Sequence, residues 1–176
     1  MRIEPTALEG LFTIAADPAE DARGAFARLY CPAEFAAAGI DFTPSQVNLS
    51  RNAVAGTLRG LHWQDPPHAE AKLVRCVAGR VWDVAVDLRA GSPTRLQWVG
   101  VELDAAAMNA VFIPEGFAHG FVTLTDGADV LYQMGRMFEP GHGRGARWDD
   151  PAFGIDWPMR PVVMSERDAG YPDFRG

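Results

Sequence analysis

The chain has 176 residues, 48% of them hydrophobic and 22% charged, enough to bury a core as one domain spanning residues 1–176 without disulfides or metals to staple it. A formal net charge of -7 argues against a general nucleic-acid binder, whose phosphate partners call for clustered Lys and Arg, so any anionic ligand has to meet a local basic patch. The two cysteines, Cys31 and Cys76, lack C-x-x-C spacing and read as reduced thiols of a cytoplasmic protein. Glu4, Pro5 and Glu9 stand where a signal peptide needs a basic start and an apolar run. No stretch approaches the ~20 apolar residues of a membrane helix.

Eighteen Gly and thirteen Pro punctuate short apolar runs, the pattern of many short strands joined by tight turns. In chain order the runs predict a strand at 11–14, a short helix at 32–38 and strands at 56–63 and 72–76. Pro32 suits the first turn of that helix, and Gly39 can end it. The clearest strand follows at 81–88, where Asp83, Ala85 and Asp87 share one face and Trp82, Val84, Val86 and Leu88 the other. Further strands are predicted at 97–103, 110–113, 120–124 and 130–134, with Ala78-Gly79, Ala90-Gly91 and Asp126-Gly127 as turns. Beyond Pro140 the chain turns rich in Gly, Arg, Asp and Pro and is expected to pack as loops. The result is an all-β sandwich or jelly roll with few short helices and a loop-rich C-terminal tail.

Among four histidines, two sit in strand-like segments beside ligand-binding side chains: His62 after Arg59, and His119 in Pro114-Glu115-Gly116-Phe117-Ala118-His119. Either one alone reads as a core histidine satisfied by a neighbour. Pro-x-Gly-x-x-His resembles the second motif of the cupins, small jelly-roll barrels in which that His often binds metal. A cupin metal set also needs His-x-His and a Glu, whereas residues 59–72 offer only His62 and His68 around Pro66-Pro67, so no metal is expected.

A denser set of motifs occurs in order: Asp21-Ala22-Arg23-Gly24, Gln46-Val47-Asn48-Leu49-Ser50, Leu58-Arg59-Gly60-Leu61-His62-Trp63-Gln64, Lys72-Leu73-Val74, Asp83 to Arg89 and Ser92-Pro93-Thr94. The series continues through Ile113 to Phe121, Tyr132, Trp148-Asp149-Asp150-Pro151, Ile155-Asp156-Trp157-Pro158 and Ser165-Glu166-Arg167-Asp168. Together these resemble the dTDP-4-dehydrorhamnose 3,5-epimerase family over nearly the whole chain. The resemblance implies a cupin-like jelly-roll subunit, usually a homodimer. Such a subunit inverts carbons beside a 4-keto group in a nucleotide-diphosphate deoxysugar and uses no cofactor.

A C–H beside a ketone is weakly acidic, so such a site needs a base, a stabiliser of the enolate and an acid on the opposite face. By the resemblance His62 is the base, Asp168 its partner, Tyr132 the proton donor and Lys72 the cation at the keto oxygen. Arg23, Gln46, Asn48, Arg59, His119 and Arg167 match positions that bind diphosphate or sugar, the arginines being suited to bidentate phosphate contacts. Arg59 lies three residues before His62 and alternates onto the other strand face, so a bulge is expected between them. Arg28, Phe138 and Gly143 stand where the family often has Glu, Tyr and Glu, which puts the nucleotide base in question. C3-only or C5-only epimerisation of a dTDP, CDP or GDP sugar, a metal-dependent oxygenase and a non-catalytic sugar-nucleotide binder are the alternatives.

Overall fold

The computed structural model describes residues 1–175. The chain opens with β1 (Arg2–Pro5) and β2 (Phe12–Ala15), then a small hairpin of β3 (Ala19–Asp21) and β4 (Gly24–Phe26), then helix α1 (Pro32–Ala37). Strands β5 (Gln46–Asn52), β6 (Leu58–Gln64), β7 (Lys72–Ala78), β8 (Arg80–Asp87) and β9 (Trp98–Asp104) follow. The last strands are β10 (Ala110–Ile113), β11 (Phe117–Thr123), β12 (Ala128–Met134) and β13 (Gly143–Gly145), and α2 (Glu166–Ala169) closes the series.

Two antiparallel sheets form the barrel, with strand orders β1-β2-β10-β7-β12-β5 and β13-β6-β11-β8-β9. The all-β, cupin-like jelly roll read from the sequence is therefore the fold. Each predicted strand is present, with ends shifted by a few residues, and Gly79 at φ +68 makes the β7–β8 turn. Between the sheets pack Leu11, Val74, Val81, Leu103, Phe121 and Val130, each at most 1% exposed; burying one such side chain contributes about 1.5–3 kcal/mol. This packing holds the two sheets face to face and fixes the cavity at one end of the barrel.

The outer faces are covered as well. Phe35 of α1 with Ile40 and Phe42 packs on Leu73 and Phe112 of the six-stranded sheet. The C-terminal tail lays Phe153, Ile155, Trp157 and Phe174 over Leu61, Val84, Val86 and Ala118 of the other sheet, so the loop-rich region docks on the barrel as expected. With both faces of β8 buried, its polar face points into the barrel, where Asp83 and Asp87 are 1% and 0% exposed.

Candidate active site

The cavity between the sheets has a volume of about 720 Å³. Its lining includes His62, Lys72, Tyr132 and Asp168 together with Asn48, Arg59, His119, Phe138 and Arg167. These residues come from five strands of both sheets and from the tail. Three of the residues singled out in the sequence lie elsewhere. Arg23 is exposed on the β3–β4 hairpin and bonded to Asp21, and Arg28 is paired with Glu34 at 2.9 Å. Gln46 sits outside the lining and accepts a hydrogen bond from the Phe138 backbone N–H at 3.2 Å. Within its own chain, then, none of these three reaches the cavity.

The expected bulge is present on β6. Across the β6–β11 pairing His62 is opposite His119 but Arg59 is opposite Phe121, so three steps on β6 match two on β11. The extra residue turns Arg59 and His62 to the same side. Gly60 is required here: its φ is +127, and a Cβ would stand 2.5 Å from Gly120 Cα and 2.8 Å from the His119 carbonyl oxygen.

Asp168 reaches His62 from 106 residues away. The short helix α2 is capped by the Ser165 hydroxyl, which accepts from the Asp168 N–H at 3.1 Å. This aims the Asp168 carboxylate inward, where Oδ1 lies 2.7 Å from His62 Nε2 and Oδ2 accepts from the Gly60 N–H at 3.3 Å. Burial pushes the Asp168 pKa up, but the His62 bond and charge, the Gly60 N–H and the Ser165 hydroxyl outweigh it and hold the group below its ordinary value. An ionised carboxylate only accepts, so the Asp168 contact places a proton on His62 Nε2 and leaves Nδ1 as the ring nitrogen turned away from Asp168.

A second His–Asp pair lies deeper. His119 Nε2 is 2.8 Å from Asp83 Oδ2, while Asp83 Oδ1 has no partner. Burial raises the Asp83 pKa, opposed by the charges of His119 and Lys72. Lys72 is itself buried and ion-paired with Glu70 at 3.1 Å. The Tyr132 ring meets His119 edge-on at 6.0 Å. Burial and the Asp83 charge push the phenol upward, with the Arg59 charge and the Ser50 hydroxyl opposing them.

Toward the mouth, Arg59 and Arg167 make no salt bridge among the described residues, so two guanidinium groups face an otherwise acidic protein's cavity ready for an anion. Arg59 Nε donates to Asn52 Oδ1 at 2.8 Å, and Arg167 sits 5.7 Å from the Tyr171 ring centre. Phe138 at the rim is 59% exposed. A Cβ on Gly143 would lie 3.6 Å from that ring and 3.8 Å from Arg167 Nη2, so glycine keeps this end open. His68 and His142 meet at a tilt outside the lining, their ring centres 4.2 Å apart. Among the described residues no three His, Cys, Asp or Glu side chains converge as a metal site requires.

Sequence reasoning missed Glu70, Asp83, Asn52 and Ser50 as site residues. Asp83 carried a signal, a carboxylate on an alternating strand whose other face is wholly apolar. The others lie within or beside quoted motifs but show their partners only in the fold.

Comparison with known proteins bears on the family and the fold. The profile of the family described as dTDP-4-dehydrorhamnose 3,5-epimerase matches residues 5–176. The dTDP-4-dehydrorhamnose 3,5-epimerase of Sinorhizobium fredii is 44% identical over 88% of this chain and 80% of its own length. The dTDP-4-dehydrorhamnose 3-epimerase of Streptomyces niveus is 40% identical over 96% and 81%. The crystal structure of dTDP-6-deoxy-D-glucose-3,5-epimerase from Legionella pneumophila Philadelphia 1, in complex with dTDP-4-keto-L-rhamnose, superposes with a TM-score of 0.90 at 36% identity, covering 99% of both chains. On sequence and fold together, this chain belongs to the dTDP-4-dehydrorhamnose 3,5-epimerase family.

Proposed function

We propose that the protein inverts C3 and C5 of a dTDP-linked 4-keto-6-deoxy sugar by proton abstraction and reprotonation from opposite faces. The observation that carries the reading is the placement of His62 and Tyr132. The imidazole stands on β6 of one sheet and the phenol on β12 of the other, with the cavity between them. A sugar ring in that space has a base on one side and an acid on the other.

In this reading His62 Nδ1 takes the proton beside the ketone, and Asp168 stabilises the imidazolium that results. The electron pair of the broken C–H bond moves into the enolate, whose oxygen is met by the buried Lys72 ammonium. Tyr132 then delivers its phenolic proton to the other face, leaving the carbon inverted. Arg59 and Arg167 hold the diphosphate, Asn48 and His119 the sugar side, and Phe138 offers its exposed face to the base.

A second copy of the chain completes the site. Every residue of the β3–β4 hairpin is exposed, with Phe26 at 79%, and a lone two-stranded hairpin is marginal in water. Val47 and Leu49 on β5 are 57% and 51% exposed. Beside them the buried Arg75 has only the Leu29 carbonyl as acceptor. A homodimer covering these groups can bring Arg23 and Arg28 to the partner's cavity, which their own chain does not allow. The free thiols of Cys31 and Cys76 suit a reducing cytoplasm.

The test is NMR of purified protein with dTDP-4-keto-6-deoxyglucose in deuterated water. Deuterium entering both C3 and C5 with inversion supports the reading. Exchange at one carbon assigns a monoepimerase, and no exchange with dTDP, CDP or GDP sugars would overturn it in favour of binding alone.

A further inference from the structure

Donation by Tyr132 leaves a phenolate in a half-buried site, which burial and the Asp83 charge disfavour and the Arg59 charge favours. A buried anion without a hydrogen-bond donor is strongly disfavoured. Two neutral donors stand on the strand beside the phenol, Asn48 directly opposite and Ser50 on the diagonal. Tyr132 is paired with Asn48 across β5–β12 and Val130 with Ser50; Ser50 is thus the diagonal neighbour of Tyr132 on the cavity face, and both line the cavity.

The bonding around Ser50 is directional. Asn52 Nδ2 donates to the Ala128 and Ser50 carbonyl oxygens at 2.9 and 3.3 Å, which turns Asn52 Oδ1 toward Arg59 Nε and the Ser50 hydroxyl at 2.8 and 3.3 Å. In the resting site the Ser50 proton is therefore directed to Asn52 Oδ1, from the strand position diagonal to Tyr132. The Ser50–Asn52 contact is the long one, so the hydroxyl can leave it at small cost, with Arg59 still satisfying Asn52.

We propose that Ser50 is a positioning residue for reprotonation, its hydroxyl turning from Asn52 to donate to Tyr132 as the phenol gives up its proton. The proposal rests on the reading of Tyr132 as the acid. The step balances: the phenol O–H bond breaks, a C–H bond forms with the enolate's electron pair, and the phenol's pair remains on oxygen as the phenolate that Ser50 then bonds. No proton leaves Ser50. The companion Asn52 holds the hydroxyl at rest and anchors Arg59, so the acid and one diphosphate-binding cation share a single support.

The experiment compares Ser50→Ala, Ser50→Thr and Tyr132→Phe in deuterated water, following deuterium entry into unreacted substrate and net inversion separately. A hydrogen bond to a charged group corresponds to about a 10- to 150-fold effect. In Ser50→Ala the ratio of exchange without inversion to inversion is expected to rise by about that factor, with KM near wild type. Ser50→Thr, which keeps the hydroxyl and suits a strand, is expected to restore the ratio. A general packing defect lowers exchange and inversion together and would overturn the proposal, as would an unchanged ratio in Ser50→Ala while Tyr132→Phe abolishes inversion. Inversion surviving in Tyr132→Phe sinks the underlying reading of the acid instead.

Discussion

Replacing Gly60 by alanine tests how the fold brings Arg59 and His62 to one cavity. The new Cβ would meet Gly120 Cα at 2.5 Å and the His119 carbonyl at 2.8 Å, both backbone atoms in the β6–β11 pairing. Those atoms can move only by opening the ladder, an overpacking cost of about 1–3 kcal/mol. The φ of +127 adds strain of about 1–3 kcal/mol for a residue with a Cβ. A combined loss of about 2–6 kcal/mol lowers the melting temperature by roughly 4–24 °C for a chain of this size. Gly39→Ala is the control: it shares a positive φ, +79, but a Cβ there meets nothing within 4 Å, so it carries strain without the clash. Differential scanning calorimetry of both variants gives the two contributions separately. A shift of the bulge by ~1 Å also costs about 100-fold in turnover. A Gly60→Ala protein that melts with Gly39→Ala and turns over normally would refute the close-approach argument.

Asp168→Asn is expected to lower kcat by about 10- to 150-fold, the worth of a charge-assisted hydrogen bond, because an amide stabilises imidazolium poorly. The folded pKa of Asp168 is depressed, so its ionisation contributes stability that is full above the unfolded value near ~3.9 and lost as pH falls through the folded value. The gap in melting temperature between wild type and variant should narrow as pH falls below about 5; a gap that widens in acid contradicts the assignment. Phe26→Asp on the hairpin is expected to convert a dimer to a monomer in analytical ultracentrifugation and to raise KM. A monomeric wild type with full activity refutes the shared site.

Period-2 alternation made β8 plain in the sequence, but not which of its faces lies inside. The apolar face of β8 is sealed by Phe153 and its tail neighbours, while Asp83 turns inward to His119. Strand β5 shows a related inversion: its apolar Val47 and Leu49 are more than half exposed, and its polar Asn48 and Ser50 line the cavity along with Leu49. A pattern that seeks apolar residues inside passes over such a strand, because the barrel interior at this end is the site rather than core. The β3–β4 hairpin and the Gly-Arg-Gly strand β13 carry little intrinsic strand preference and form through their pairing. Arg59 and His62 were readable as a pair only with a bulge, and the bulge is there. Asp168, by contrast, gains its role from a four-residue helix too short to show periodicity.

Solvent exchange catalysed by the His62→Ala variant is the most direct measurement of the central claim. With dTDP-4-keto-6-deoxyglucose in deuterated water, the account predicts that the wild type labels C3 and C5 while His62→Ala labels neither, with dTDP affinity retained through Arg59 and Arg167. Label entering either carbon at the wild-type rate in that variant would contradict the assignment of His62 as the base.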